Sequence, residues 1–216
     1  MKYDLIHIQS IIKKYFSIVI PNQILKDSHV NIPKHKMYKK HITKIVQEII
    51  DLYRPDDETY IVDYNNNCFY SLMCSMQDFN VIYINPLQKY NKFIELSKII
   101  NDIDFIHINS RFKINNHVKT KFIPLLIVND PADLSNSKRP LNGSKLHNII
   151  IIRDYIEGDY EHYIPIIQKN YVFFKIDTLL TKIDNLKEFL ETDSYSSIIA
   201  VAPNSKYSTL ETVYFD

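Results

Sequence analysis

The chain has 216 residues, 45% of them hydrophobic and 24% charged, with a formal net charge of +1. That length supports one sizeable core and is short for two, and the composition excludes a disordered chain. The near-zero charge gives no electrostatic footprint of a nucleic-acid or membrane binder, and no apolar run approaches the ~18 residues that span a bilayer.

Residues 1–20 lack the unbroken apolar region of a signal peptide, because Asp4, His7, Gln9 and two lysines interrupt them. The spacing predicts a helix here, with Leu5, Ile8, Ile11, Ile12, Tyr15 and Phe16 on one side. Pro21 to Pro33 reads as a polar connection. Lys34 to Tyr53 reads as a second amphipathic helix, with Ile42, Ile45, Val46, Ile49 and Leu52 at the i, i+3, i+4 spacing. Lys36, Lys40 and Lys44 on its other face read as a solvated basic face, not a nucleic-acid contact. Residues 1–55 are thus expected as N-terminal helices packed on an α/β domain of residues 56–216.

From residue 59 strands and helices alternate. Strands are predicted at Thr59–Asp63, Asn80–Ile84 and Asp104–Ile108, with helices at Asn67–Gln77 and Pro86–Asn101. Residues 110–146 break the rhythm, and their apolar run Phe122–Val128 reads as one irregular strand inside an excursion. The alternation resumes with strand His147–Asp154, helix Asp159–Asn170, strand Tyr171–Ile176 and helix Lys182–Thr192. Strands Ser196–Val201 and Thr209–Phe215 close the chain with no helix between them, which predicts an antiparallel pair at one edge. The expected fold is α/β: a Rossmann-like, doubly wound, seven-stranded, mostly parallel sheet with a C-terminal antiparallel hairpin, preceded by two N-terminal helices.

Cys68 and Cys74 stand in one predicted helix, too few for a disulfide framework, and fit a reducing, cytoplasmic compartment. The abundance of Ile, Asn, Lys and Tyr, with no Trp and two glycines, fits A+T-rich coding, as in some large DNA viruses, protists or low-GC bacteria. For a viral chain the compartment is the host cytoplasm. No histidine pair has the spacing of a helical metal site, so no metal is expected.

Two segments resemble the FkbM-type class I methyltransferases, a family that O-methylates sugars and related small molecules. Ile61-Val62-Asp63-Tyr64-Asn65-Asn66-Asn67-Cys68-Phe69-Tyr70-Ser71-Leu72 is similar to the family's V-D-x-G-A-N-x-G-x-Y-S-L loop, one residue shorter and without glycine. Ile152-Arg153-Asp154-Tyr155-Ile156-Glu157-Gly158 is similar to the K-I-D-V-E-G motif after the fourth strand. Val81-Ile82-Tyr83-Ile84-Asn85-Pro86 matches a V-x-A-F-E-P strand end, with Asn in place of the acid. The resemblance spans about residues 40–216.

It implies S-adenosylmethionine as cofactor, bound at the carboxyl ends of the strands. Asp63 and Asn67 would contact the cofactor's amino-acid end, although Asp63 equally reads as a cap on the following helix. Asn65 occupies a glycine position, where asparagine tolerates left-handed backbone. Asn85 would take one or two ribose hydrogen bonds in place of the acid, or only open the loop before Pro86, and Asn109, after the third strand, completes the cofactor set. Glu157 and Asp154 are the catalytic candidates: Glu157 would orient or deprotonate a hydroxyl nucleophile, or serve only as a helix N-terminal acid. Two functions follow. One is an O-methyltransferase acting on a small-molecule or glycan hydroxyl. The other is a catalytically dead relative that serves as a binding or structural module with a protein partner, since loop glycines, ribose acid and motif aspartate are all replaced.

Overall fold

The computed structural model describes residues 3–9, 15–21, 39–64, 68–85, 90–108, 121–129, 145–152, 160–193, 196–205 and 207. Ten strands and five α-helices are described. Strands β1 (Tyr3–Gln9) and β2 (Tyr15–Pro21) form a separate antiparallel hairpin, paired from Tyr3–Pro21 to Gln9–Tyr15. The helix expected over residues 1–20 is therefore a correction. The runs Leu5-Ile6 and Ile18-Val19-Ile20 are β-branched or apolar, and such side chains fit a pleated surface better than a helix turn. Helix periodicity and strand pairing compete in so short a segment, and the pairing of the two strands decides.

The remaining elements follow in chain order. They are α1 (Lys40–Asp51), β3 (Thr59–Tyr64), α2 (Phe69–Ser75), β4 (Asn80–Ile84), α3 (Asn91–Asn101), β5 (Ile106–Ile108), β6 (Phe122–Val128) and β7 (Lys145–Ile151). A 3-10 turn (Tyr160–Tyr163) then leads into α4 (Ile164–Ile167), β8 (Val172–Ile176), β9 (Leu180–Ile183), α5 (Leu186–Thr192) and β10 (Ser197–Val201). The strands from β3 onward make one eight-stranded sheet in the order β5-β4-β3-β6-β7-β10-β8-β9. β5, β4, β3, β6 and β7 are parallel. β10 runs antiparallel to both β7 and β8, and β9 antiparallel to β8.

Three expectations change here. The Phe122–Val128 run is no irregular excursion: it is β6, the strand between β3 and β7, with six of its seven residues buried. The Ser196–Val201 strand is not part of an edge pair but lies inside the sheet as β10, while Thr209–Phe215 falls outside the described residues. The helix expected at Lys182–Thr192 begins later, because β9 takes residues 180–183 and Asn185 caps α5 by accepting the Glu188 N–H at 3.3 Å.

β6 tolerates Pro124 for a local reason. Between Thr59–Phe122 and Ile61–Leu125 the register shifts by one, so β6 carries an extra residue. A proline without an N–H sits in such a bulge without breaking the ladder. Its carbonyl accepts from Asn148 Nδ2 at 2.8 Å, and Asn148 Oδ1 accepts from Ser205 Oγ at 2.8 Å.

Both sheet faces are apolar, as a doubly wound sheet requires. One face packs Ile61, Val81, Leu125, Ile127 and Ile150 against Ile45 and Ile49 of α1, Leu72 of α2 and Ile94 of α3. The other packs Val62, Ile82, Leu126, Ile149 and Ile151 against Tyr163, Ile166, Leu186 and Leu190. The hairpin joins the first layer: Ile18 is buried in it, and Asn101 at the end of α3 binds Ser17 twice, accepting its N–H at 2.7 Å and donating to its carbonyl at 2.6 Å. No helix among the described residues is long and apolar enough to cross a membrane.

Candidate cofactor crevice at the carboxyl ends of the strands

From β3 the chain runs outward through β4 to β5, then returns to β6 on the other side of β3 and continues to β7. Strand order therefore reverses between β3 and β6, and the carboxyl ends of these two strands frame the place where an open α/β sheet binds its ligand. Asp63 lies at this end of β3, Asn85 directly follows β4, and Asn129 directly follows β6 and donates its backbone N–H to the Tyr64 carbonyl at 3.1 Å.

Asp63 is fully buried. Its Oδ2 accepts the Ser71 backbone N–H at 3.1 Å and the Ser71 hydroxyl at 2.7 Å. One carboxylate oxygen thus caps the first turn of α2, as one of its two sequence readings has it. The other, Oδ1, is buried and meets no donor among the described residues. Burial pushes the carboxyl up from 3.8 to about 7, against the downward pull of the Ser71 bonds. The same seclusion, with the Asp63 charge nearby, pushes the Cys68 thiol up to about 12.

Asn85 is also fully buried. Its backbone N–H donates to the Ile108 carbonyl at 3.1 Å, tying the end of β4 to the end of β5, and its Nδ2 donates to the Tyr83 hydroxyl at 3.0 Å. Phe69 packs edge-on against Tyr70 at 5.1 Å within the core of the first face, and Tyr64 is buried in the core of the other. Asn65, Asn67, Asn109, Asp154 and Glu157 lie outside the described residues.

The strand count moves one expectation. The segment 152–158 follows β7, and β6 intervenes between β7 and β3. The fourth strand of the parallel set in chain order is β6, so the residue at its end is Asn129. Sequence reading passed over Asn129, whose side-chain oxygen is buried and meets no donor among the described residues. The signal was present: an apolar run of strand length, Phe122–Val128, closed by the turn-forming Asn129-Asp130-Pro131.

Similar arrangements occur in solved structures. A 16S rRNA methyltransferase from T. thermophilus, in complex with AdoMet and guanosine, superposes with a TM-score of 0.57 at 8% identity, over 94% of this chain and 51% of that one. A SAM-dependent O-methyltransferase from Thermotoga maritima gives 0.50 at 13% identity, over 92% and 77%. An rRNA methylase from Streptococcus thermophilus gives 0.50 at 14% identity, over 77% and 98%. The chain has the class I methyltransferase fold. No protein-family model and no curated protein matches its sequence. Within the methyltransferase fold, β9 is an eighth strand at the outer edge of the sheet, where seven were expected.

Proposed function

We propose that this chain is a divergent S-adenosylmethionine-dependent methyltransferase-like protein whose acceptor is a hydroxyl of a sugar or other small molecule. The observation that carries the reading is the position of Asp63: a buried carboxylate at the strand-order reversal, with Oδ1 left without a donor among the described residues. A buried acceptor of this kind matches the ammonium at the amino-acid end of the cofactor. Asn85, with Asn109, is assigned to the ribose side, and Asn65 and Asn67 to the loop beside Asp63. Bound there, S-adenosylmethionine would supply an electrophilic methyl group on a sulfonium. The protein's part is to hold it, keep water out of the crevice, and accept the hydroxyl proton, for which Glu157 and Asp154 are the carboxylates proposed. Two buried free thiols suit a cytoplasmic setting.

A second reading, a catalytically dead module with a protein partner, draws on two observations. Asp63 already gives one oxygen to the Ser71 cap, and the ribose acid is an amide bound to Tyr83. Isothermal titration with S-adenosylmethionine and S-adenosylhomocysteine separates the two. Micromolar binding that disappears in Asp63→Ala supports the first and justifies an acceptor screen. That screen includes RNA beside sugars, because two of the similar folds are named as rRNA methylating proteins. No heat and no thermal shift at millimolar ligand sinks it and directs the search to a protein partner.

A further inference from the structure

Asp63 lies in a layer of neutral side chains. In register it stands opposite Tyr83 of β4 on one side and Ile127 of β6 on the other. α1 and α3 bring Ile45, Ile49 and Ile94 to this layer, and α2 brings Ser71 and Cys74, with Cys68 just before it. Burial keeps the Tyr83 phenol and both thiols protonated. The charged groups of the surrounding elements are engaged elsewhere. Lys98 of α3 meets Asp104 at 2.6 Å and Glu95 at 3.5 Å, His107 of β5 meets Glu95 at 3.5 Å, and Glu48 of α1 accepts from the Tyr207 hydroxyl. No lysine, arginine or histidine among the described residues pairs with Asp63.

A carboxylate in such a place has its charge out of water and unmatched, which favours the protonated acid. The geometry says where that proton sits. Oδ2 already accepts two donors from Ser71, so the proton belongs to Oδ1, which is buried and meets no partner among the described residues. Oδ1–H is a donor, and an ammonium is a donor as well. The two cannot share one oxygen.

We propose that Asp63 exchanges this proton for its ligand's ammonium: the ligand-free protein holds the carboxyl neutral, and a primary ammonium docking at Oδ1 releases one proton to solvent and pairs with the carboxylate left behind. This rests on the reading of Asp63 as the contact for the amino-acid end of S-adenosylmethionine. One positive charge enters and one leaves, so the buried layer never carries an unmatched charge. The ligand-free carboxyl titrates at about 7. Below that pH the ligand competes with the proton, and above it the carboxylate already stands ready.

The test is isothermal titration with S-adenosylhomocysteine and with its des-amino analogue, which keeps the carboxylate and lacks the ammonium. Affinity of the unaltered protein for S-adenosylhomocysteine should rise close to tenfold from about pH 5 to about pH 6. At about pH 6 nearly one proton should be released per ligand, read from the dependence of the heat on the buffer's ionisation enthalpy. The des-amino analogue should bind with neither effect. In difference infrared spectra the band of a protonated carboxyl should vanish as S-adenosylhomocysteine binds, and Asp63→Asn should lack that change. Should Asp63→Asn not fold or not bind, the comparison of the two ligands on the unaltered protein still decides. S-adenosylhomocysteine binding with no proton released and no pH dependence overturns the proposal and leaves the crevice reading standing. Equal proton release with the des-amino analogue does the same. Binding of neither ligand at any pH overturns the crevice reading, and this proposal with it.

Discussion

Asp63 and Ser71 bind each other through two hydrogen bonds to one carboxylate oxygen, at 2.7 Å from the hydroxyl and 3.1 Å from the backbone N–H. This clasp joins the end of β3 to the first turn of α2, on either side of the segment proposed to hold cofactor. Helix α2 has no side-chain cap of its own at Cys68, so the cap comes from the preceding strand. Replacing Ser71 by Ala removes the shorter bond from a buried carboxylate. The expected loss is about 1–3 kcal/mol in urea denaturation. A change within ~0.5 kcal/mol would mean that the hydroxyl is not holding this oxygen.

The same carboxyl makes stability depend on pH. In the unfolded chain Asp63 releases its proton near 3.8, whereas burial holds the proton until about 7 in the folded protein. Between these values the folded state binds more protons, so this group's contribution is greatest below the lower value and is lost as pH rises through the upper one. Stability of the unaltered protein relative to Asp63→Asn should therefore fall by on the order of a few kcal/mol from about pH 4 to about pH 8. Parallel pH profiles for the two proteins would show that Asp63 ionises freely.

Pro124 in the central strand relies on Asn148. Asn148→Leu would remove the amide that donates to the Pro124 carbonyl and accepts from the Ser205 hydroxyl, inside a region where Asn148 is fully buried, while Ser205 Oγ keeps the Tyr207 N–H at 3.1 Å. A loss of about 1–3 kcal/mol is expected, read from the midpoint of thermal or urea unfolding. Tolerance of leucine here would mean that water reaches the bulge.

Ile127 lies between Asp63 of β3 and Ile150 of β7 on the helix-covered face and is fully buried. Ile127→Ala should cost about 2–5 kcal/mol, the range for a truncated core side chain. The Lys98–Asp104 pair is a useful contrast. Although its charges approach to 2.6 Å, Asp104 is 89% exposed. Asp104→Ala should change stability by less than about 1 kcal/mol.

Cys68 and Cys74 are buried, and burial pushes both thiols well above their ordinary range. A thiolate-seeking reagent at neutral pH should leave the native protein unlabelled and modify both residues after denaturation. Rapid native labelling would place the α2 region among the locally opening parts of the fold.

Much of the architecture was legible from residue order alone. The alternation of β3, α2, β4, α3 and β5 follows from local apolar runs and periodicity, and α1 buries Ile42, Ile45, Val46 and Ile49 as its spacing predicts, while Leu52 of the same predicted stripe lies just past the helix and is exposed. The positions of Asp63 and Asn85 at strand ends came from the same local reading, because a strand's end is set by the few residues around it. What the tertiary structure alone decided is pairing. It made a hairpin of residues 3–21 where helix spacing was equally visible, moved β10 from an edge to a place between β7 and β8, and raised Phe122–Val128 from an excursion to the strand beside β3. It also turned the Asn85 amide onto Tyr83 and left the Asn129 oxygen without a donor among the described residues. The order of β3, β6, β7, β10 and β8 depends on which strand lies alongside, a contact made across tens of residues of intervening chain, and no local window of sequence contains it.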